Sequence, residues 1–189
     1  YETHFRDRKN GRAFGWKPAA EMVGRKYKTK PCDHYTDYRE MVARKDLDIV
    51  IVGTPDHWHA VQTLAALRNG KDVYCEKPVT HFFAEGQAVY REAAKRKAIF
   101  QTGSQQRSEH RFRLAVEIVR NGLIGDVKEA QVGLPGGTDN DHGDTSAHDY
   151  SKRKDYQLWT GPAPMLDYTF SRHHRNWRWN LAYGGGQLM

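Results

Sequence analysis

A chain of 189 residues is long enough for one domain, or for one domain and part of another, and its two cysteines are too few for a fold held by disulfides. The net charge of +7 could suit nucleic acid, but basic and acidic residues are interspersed and no zinc-finger spacing or RNP-like strand occurs, so a solvated basic face or steering of an anionic cofactor explains it better. No apolar run approaches the roughly 18 residues of a membrane span.

The first predicted elements are helices. Residues 18–26 favour a short helix with a proline in its first turn, and residues 28–35 a connector or a short edge strand. Thr36 is a candidate N-cap for a second helix over residues 38–42.

Residues 48–78 predict a strand–helix–strand unit. Residues 49–52 are apolar and β-branched, which favours a strand buried on both faces, and Thr54-Pro55 ends it. A helix follows, and a second short strand over 73–75 ends at Glu76-Lys77-Pro78. The predicted apolar side of the helix consists of Trp58, Val61, Leu64, Ala65 and Leu67. Such a unit makes the two strands parallel neighbours, and ligands bind beyond the carboxyl ends of such strands.

The alternation of helix and strand continues to residue 122. Thr80 is a candidate cap for a helix, residues 98–100 predict a third strand, and a longer helix ends at Asn121-Gly122. The apolar side of the helix after Thr80 is predicted to include Phe83, Ala84, Ala88, Val89 and Ala93. The pattern is typical of a parallel sheet covered by helices, which is the α/β class. Beyond it, residues 127–134 predict a strand, and residues 135–180 have little period.

Five short motifs occur in a fixed order along the chain. They are TPDHWH at 54–59, EKP at 76–78, GSQQR at 103–107, LWTGP at 158–162, and WRW at 177–179 followed by YGGG at 183–186. In this order and spacing they resemble the glucose-fructose oxidoreductase/inositol dehydrogenase (Gfo/Idh/MocA) family, with the Glu-Lys-Pro motif as the most specific part. The resemblance covers most of residues 36–189.

The resemblance implies a Rossmann-type domain that binds NAD or NADP, followed by an α+β domain that carries a sugar site and often an oligomer interface. The first domain is expected to span residues 1–122 and the second residues 123–189. We therefore expect an NAD(P)-dependent oxidoreductase that transfers hydride to or from a sugar, cyclitol or sugar derivative, without nucleic acid or membrane partners and as a homo-oligomer. An NAD-dependent glycosidase of the same fold and a non-catalytic sugar- or cofactor-sensing module are the alternatives.

The same resemblance assigns the site residues. Lys77 is the catalytic lysine, and it also meets the substrate with Arg107 and His174. The implied cofactor-binding residues are Thr54, Pro55, His59, Glu76, Pro78, Gln105, Trp177 and Arg178.

Each assignment has a plainer alternative in the residues themselves. Lysine suits proton exchange with a sugar hydroxyl, but Lys77 could be a surface residue after a strand. Glu76 could orient Lys77 or form a simple salt bridge, and His59 could cap its helix. The Trp177–Trp179 segment could stack on a ring or belong to the core, while Arg107 could cap a sheet edge.

A metal site is not predicted. The ten histidines lack a matching ligand set, His57-x-His59 and His173-His174 included. Residues 139–150 resemble a calcium loop only superficially, because the glycine falls at position five and a tyrosine at position twelve.

Two features depart from the family pattern. No G-x-G-x-x-G phosphate loop occurs in the sequence, and the chain stops before the Asp and His (or Tyr) that follow the Gly-Gly-Gly segment in relatives. We therefore expect an interior fragment that alone binds NAD(P) poorly and is inactive. The compartment cannot be read from these residues, although the cytoplasm is favoured.

Overall fold

The computed structural model describes residues 15–30, 32–134, 145–173 and 176–186. The chain forms two compact units, one up to Lys45 and one from Asp46 onward. The predicted domain boundary at residue 122 stays a prediction. No helix among the described residues is long and apolar enough to cross a bilayer.

The described part of the first unit contains two helices, α1 (Trp16–Tyr27) and α2 (Tyr38–Val42). Both were predicted, but the N-cap of α2 is Asp37 rather than Thr36. The Asp37 carboxylate accepts a hydrogen bond from the backbone N–H of Arg39 at 2.9 Å, which a threonine one residue earlier is not placed to do. Residues 28–30 and 32–35 form a connector and no strand.

The second unit contains the predicted parallel sheet. Its strands are β1 (Ile49–Val52), β2 (Asp72–Glu76) and β3 (Phe100–Gly103), in the order β1-β2-β3. Helices α3 (Asp56–Arg68) and α4 (Phe83–Arg96) connect them. Both strand pairs are parallel, so the three carboxyl ends meet at one edge of the sheet. The α/β class, with a Rossmann-like sheet, is confirmed.

The sheet is covered less completely than the sequence predicts. Val50 and Val52 are buried, but Ile49 is 64% and Ile51 74% exposed, so the prediction that β1 is buried on both faces is wrong. The predicted inward side of α3 is also wrong, except for Leu67. The residues of α3 that are buried are Asp56, His57, His59, Ala60, Thr63, Ala66 and Leu67. Ala60, Thr63 and Ala66 form the small-residue part of this buried side, whereas Trp58, Val61 and Leu64 are only partly buried.

Helix α4 buries one residue, Val89, while Phe83 is 84% exposed, so the predicted apolar side is mostly wrong. Thr80 is not its N-cap: the Thr80 hydroxyl bonds the carbonyl of Phe82 at 3.1 Å. The carboxylate of Glu85 instead accepts the Phe82 N–H at 2.9 Å, which satisfies one of the free donors at the start of the helix.

A 3₁₀ turn (Gln105–Ser108) and helix α5 (His110–Arg120) follow β3. The longer helix predicted after the third strand is therefore confirmed. The apolar side chains of α5 other than the half-buried Ile118 are exposed, among them Phe112, Val116 and Val119. The predicted strand over 127–134 is wrong: these residues are exposed and form no strand, because no described strand lies beside them to pair with.

The C-terminal part has an aromatic core. It comprises α6 (Lys154–Thr160), α7 (Phe170–His173) and a 3₁₀ turn (Asn176–Trp179). The rings of Tyr156 and Trp159 stack at 6.2 Å between centroids, and Trp159 meets the fully buried Tyr183 edge-on at 4.7 Å. These packed rings hold the segment that faces the carboxyl edge of the sheet.

Candidate functional site

A cavity of about 450 Å³ lies at the carboxyl edge of the sheet. The ends of β1 and β2 line it, together with the first turns of α3 and the C-terminal segment. Its lining residues are Gly53, Thr54, Pro55, Asp56, His59, Glu76, Lys77, Pro78, Trp177, Arg178 and Gly186. The volume falls within the range of about 300–1,000 Å³ found for small-molecule sites.

The cavity joins most of the residues that the family resemblance implicates. Lys77 lies on the same edge of the sheet as Thr54 and Pro55, because all three follow the carboxyl ends of parallel strands. Trp177 and Arg178 contribute the other wall, and the Arg178 guanidinium lies 4.5 Å from the centroid of the Trp177 ring. Proximity of these groups permits ligand binding and proton exchange at one place.

Two predicted residues that the structure describes are not at this cavity. Gln105 is exposed on the 3₁₀ turn after β3, and Arg107 lines a separate groove along α5. His174 lies outside the described residues, as does the first half of the calcium-like loop. The assigned roles of all three stay predictions. Among the described residues, no group of three or more His, Cys, Asp or Glu side chains is placed to hold a metal ion.

Glu76 lies across the strand ends because a neighbouring strand ends in glycine. It pairs in register with Gly103, and a Cβ atom at position 103 would lie 2.9 Å from both the Cα atom and a carboxylate oxygen of Glu76. At Gly53, on the other side, the same added atom would be 4.0 Å from the Glu76 Cγ atom. Gly103 therefore makes the space that the glutamate occupies.

His59 connects the two strand-end turns that line the cavity. Its Nε2 atom lies 2.7 Å from the carbonyl oxygen of Thr54, and its Nδ1 atom 2.5 Å from that of Pro78. Two carbonyl acceptors face the two ring nitrogens, so a hydrogen bond from His59 to a cofactor would require one of these contacts to be given up. The ring sets the spacing between the turn at Thr54 and the turn that carries Lys77.

The first turn of α3 also grips the C-terminal segment. His57, which the sequence leaves unassigned, is buried, with Nε2 3.0 Å from the Trp159 carbonyl oxygen and Nδ1 3.2 Å from that of Tyr183. The Trp58 indole N–H donates to the same Trp159 oxygen at 2.9 Å. Burial lowers the pKa of His57, although its two carbonyl contacts oppose the shift. His57 thus links the first turn of α3 to the C-terminal segment.

Asp56 is the residue of this cavity that sequence reasoning missed. Its carboxyl group is 5% exposed, and burial raises its pKa. The side chains of His59, Arg178 and His81 and the backbone N–H of Gly185 oppose that shift. The available signal was its place in the Thr-Pro-Asp turn, directly after a strand end at the first position of a helix.

The residues present fit the nicotinamide end of a dinucleotide. The cavity is bounded by glycine- and proline-containing strand ends and by an indole ring, and the polar side chains of Glu76 and Lys77 are among its lining. The glycine-rich loop that holds a diphosphate is not in the sequence, so the fit extends only to the nicotinamide half.

Residues 16–104 match the model of a family described as an oxidoreductase family with an NAD-binding Rossmann fold, GFO_IDH_MocA. These residues belong to the Gfo/Idh/MocA oxidoreductase family. The resemblance of the motifs is thereby confirmed, and NAD or NADP as the cofactor agrees with the family description.

Curated relatives match about half of this chain. An inositol 2-dehydrogenase of Rhodococcus jostii is 35% identical over 97 residues, which cover 51% of this chain and 26% of the relative. A 2,7-anhydro-N-acetylneuraminate hydratase of Mediterraneibacter gnavus is 31% identical over 96 residues, with the same two shares. The chain thus spans about a quarter of the length of the curated relatives it matches.

Solved structures of two inositol dehydrogenases superpose on part of this chain. The myo-inositol 2-dehydrogenase of Lactobacillus plantarum superposes with a TM-score of 0.52 at 28% identity, over 59% of this chain and 32% of that one. A scyllo-inositol dehydrogenase of Lactobacillus casei gives 0.51 at 26% identity, over 58% and 32%.

Proposed function

We propose that this chain carries the nicotinamide end of the active site of an NAD(P)-dependent oxidoreductase that acts on a sugar, cyclitol or sugar derivative. The observation that supports it is the single cavity that brings Lys77 together with the Thr54-Pro55 turn and the Trp177-Arg178 wall. The substrate class is supported by relatives named for inositol and levoglucosan.

In this proposal Lys77 exchanges a proton with the substrate. The bound cofactor supplies a ring that accepts or returns a hydride. As the carbinol carbon gives up its hydride, the amine form of Lys77 takes the hydroxyl proton and a carbonyl group forms. In the reverse direction the ammonium group returns that proton. His59 keeps the Lys77 turn at its distance from Thr54, and Trp177 offers a flat face against a ring.

The test replaces Lys77 in the full-length protein. Lys77→Met is expected to lower kcat for NAD(P)-linked oxidation of inositols or sugars by about 10²-fold or more, because it removes the proton acceptor. Lys77→Arg keeps the positive charge but cannot deprotonate, so it should fail as well. Turnover is followed by NAD(P)H absorbance, and cofactor binding by fluorescence.

Lys95→Met, at an exposed position of α4, is the matched control and should keep wild-type turnover. Normal turnover in Lys77→Met would remove the assignment. Retained cofactor binding in that variant separates lost chemistry from lost folding.

A second function has one observation in its favour. A relative at 31% identity is named a hydratase, so membership of the family does not require net oxidation of the substrate. An NAD-dependent glycosidase or a related enzyme that oxidises its substrate only transiently would release product without net NADH. Measuring released product and NADH in the same reaction distinguishes it from a dehydrogenase. Specific ligand binding without turnover would instead support the sensing module.

A further inference from the structure

Asp56 combines deep burial with an incompletely hydrogen-bonded carboxyl group. Its side chain is 5% exposed, and its Oδ2 atom has no hydrogen-bond partner among the described residues. Burial raises the pKa of the carboxyl group, which means that the ionised form is less stable in the fold than in water. Its neighbours His57 and His59, by contrast, have an acceptor at each ring nitrogen.

The outer wall of the cavity folds back onto this carboxyl group. The backbone N–H of Gly186 donates to the carbonyl oxygen of Arg178 at 2.7 Å, which curls the segment into a turn. A Cβ atom on Gly184 would lie 2.9 Å from Asp56 Oδ2 and 3.2 Å from the Arg178 carbonyl oxygen. A side chain at position 184 would therefore displace the carboxyl group, which packs directly on the turn.

Side chains from three elements act on Asp56. His59 lies on its own helix α3, Arg178 on the 3₁₀ turn, and His81 on the loop before α4, and each lowers the pKa of the carboxyl group. Of these, Arg178 lies on the same segment as the glycine turn and on the wall of the cavity that holds Lys77. Attraction between the carboxylate and the guanidinium therefore acts on the wall itself.

We propose that Asp56 is a positioning residue of the candidate active site, whose carboxylate holds Arg178 and the Gly184–Gly186 turn in place as the outer wall of the cavity. It does so at a cost to the stability of the fold. Buried, strained or unpaired polar groups concentrate at functional sites for this reason. Its effect on ligand binding rests on the proposed function, whereas its coupling to Arg178 does not.

The first test is a thermodynamic cycle in the chain without ligand. Asp56→Asn is expected to raise Tm at pH 7 by about 2–4 °C, because it removes the buried charge and keeps the shape. Arg178→Met should lower Tm, since it leaves the carboxylate without the guanidinium. In the double variant most of that loss should disappear. Lowering the pH through the raised pKa of Asp56 should likewise remove the loss caused by Arg178→Met.

The matched control is Asp72→Asn. Asp72 lies at the other edge of the sheet, where its Oδ1 atom accepts the backbone N–H of Ile99 at 2.8 Å. Asp72→Asn should not raise Tm and should be additive with Arg178→Met. A lower Tm or an insoluble protein for Asp56→Asn, or additivity of Asp56→Asn with Arg178→Met, would overturn the proposal.

The second test uses the full-length protein and NADH. Asp56→Asn should weaken NADH binding about tenfold, the effect of losing one charge-assisted contact, while Asp72→Asn binds like wild type. Wild-type affinity in Asp56→Asn would show that the wall does not depend on Asp56, and would overturn the positioning role. Wild-type protein that fails to bind NADH would overturn the proposed function alone, because the unfolding cycle involves no ligand.

Discussion

The size of one side chain at position 103 decides how Glu76 lies across the strand ends. We expect Gly103→Ala to lower the free energy of unfolding by about 1–3 kcal/mol, the usual cost of overpacking a close contact. The added methyl group would lie 2.9 Å from the Glu76 Cα atom, and backbone cannot rotate away as a flexible side chain can. Chemical denaturation measures the change.

Gly53→Ala is the control for this prediction. It adds a methyl group at the other side of the same glutamate, but at 4.0 Å from its Cγ atom, which is ordinary contact. Its effect should be small. Equal losses for the two variants would show that the approach of Glu76 to β3 is not what requires glycine.

The buried imidazole of His57 predicts a pH dependence of stability. Burial lowers its pKa below the ordinary 6.5, so the unfolded chain takes up the proton first as the pH falls. The contribution of neutral His57 to stability is complete above about pH 6.5 and is lost as the pH falls from there toward the lowered pKa. His57→Gln, which does not titrate, should flatten the dependence of Tm on pH in this window.

His110→Gln, at an exposed position of α5, should keep the wild-type slope of Tm against pH. A wild-type slope in His57→Gln as well would show that the imidazole does not stay neutral in the fold.

At the scale of elements, α3 is joined to the end of α6 by close packing around Gly161. This residue has φ of +51°, and a Cβ atom there would lie 2.1 Å from Cζ2 of Trp58. Gly161→Ala should therefore displace the indole, break its hydrogen bond to Trp159, and shift tryptophan emission to longer wavelength. The expected loss of stability combines about 1–3 kcal/mol for the positive φ angle with about 1–3 kcal/mol for the clash.

Gly122→Ala separates these two effects. Gly122 has φ of +70° but nothing within 4 Å of an added Cβ atom, so it should show the conformational cost and no change in emission. If both variants behave alike, the contact between Trp58 and Gly161 does not join the two elements.

The sequence was a better guide to which elements form than to which sides they bury. Three strands and the helices between them were predictable, because β-branched runs and glycine stops act locally. The inward side of α3 was not, because close packing on the sheet selected Ala60, Thr63 and Ala66 over the larger Trp58 and Leu64. The strand over 127–134 failed because a strand needs a partner, which local sequence does not reveal.

At the scale of the whole molecule, the position of the site followed from topology. Parallel strands place their carboxyl ends together, so Thr54 and Lys77 had to share one edge. The role of Asp56 did not follow, since its burial depends on a glycine turn about 130 residues further along the chain, at Gly184. Contacts at that separation are a property of the folded chain.

The uncovered side of α5 has a consequence for handling the protein. Phe112, Val116 and Val119 form an apolar stripe that is open to solvent while the helix itself is intact. A hydrophobic dye such as ANS would bind there and fluoresce, although dye binding is commonly taken as the sign of a molten globule. Near-UV circular dichroism, which reports fixed aromatic packing such as that around Tyr156 and Trp159, is therefore the sounder assay of native structure for this chain.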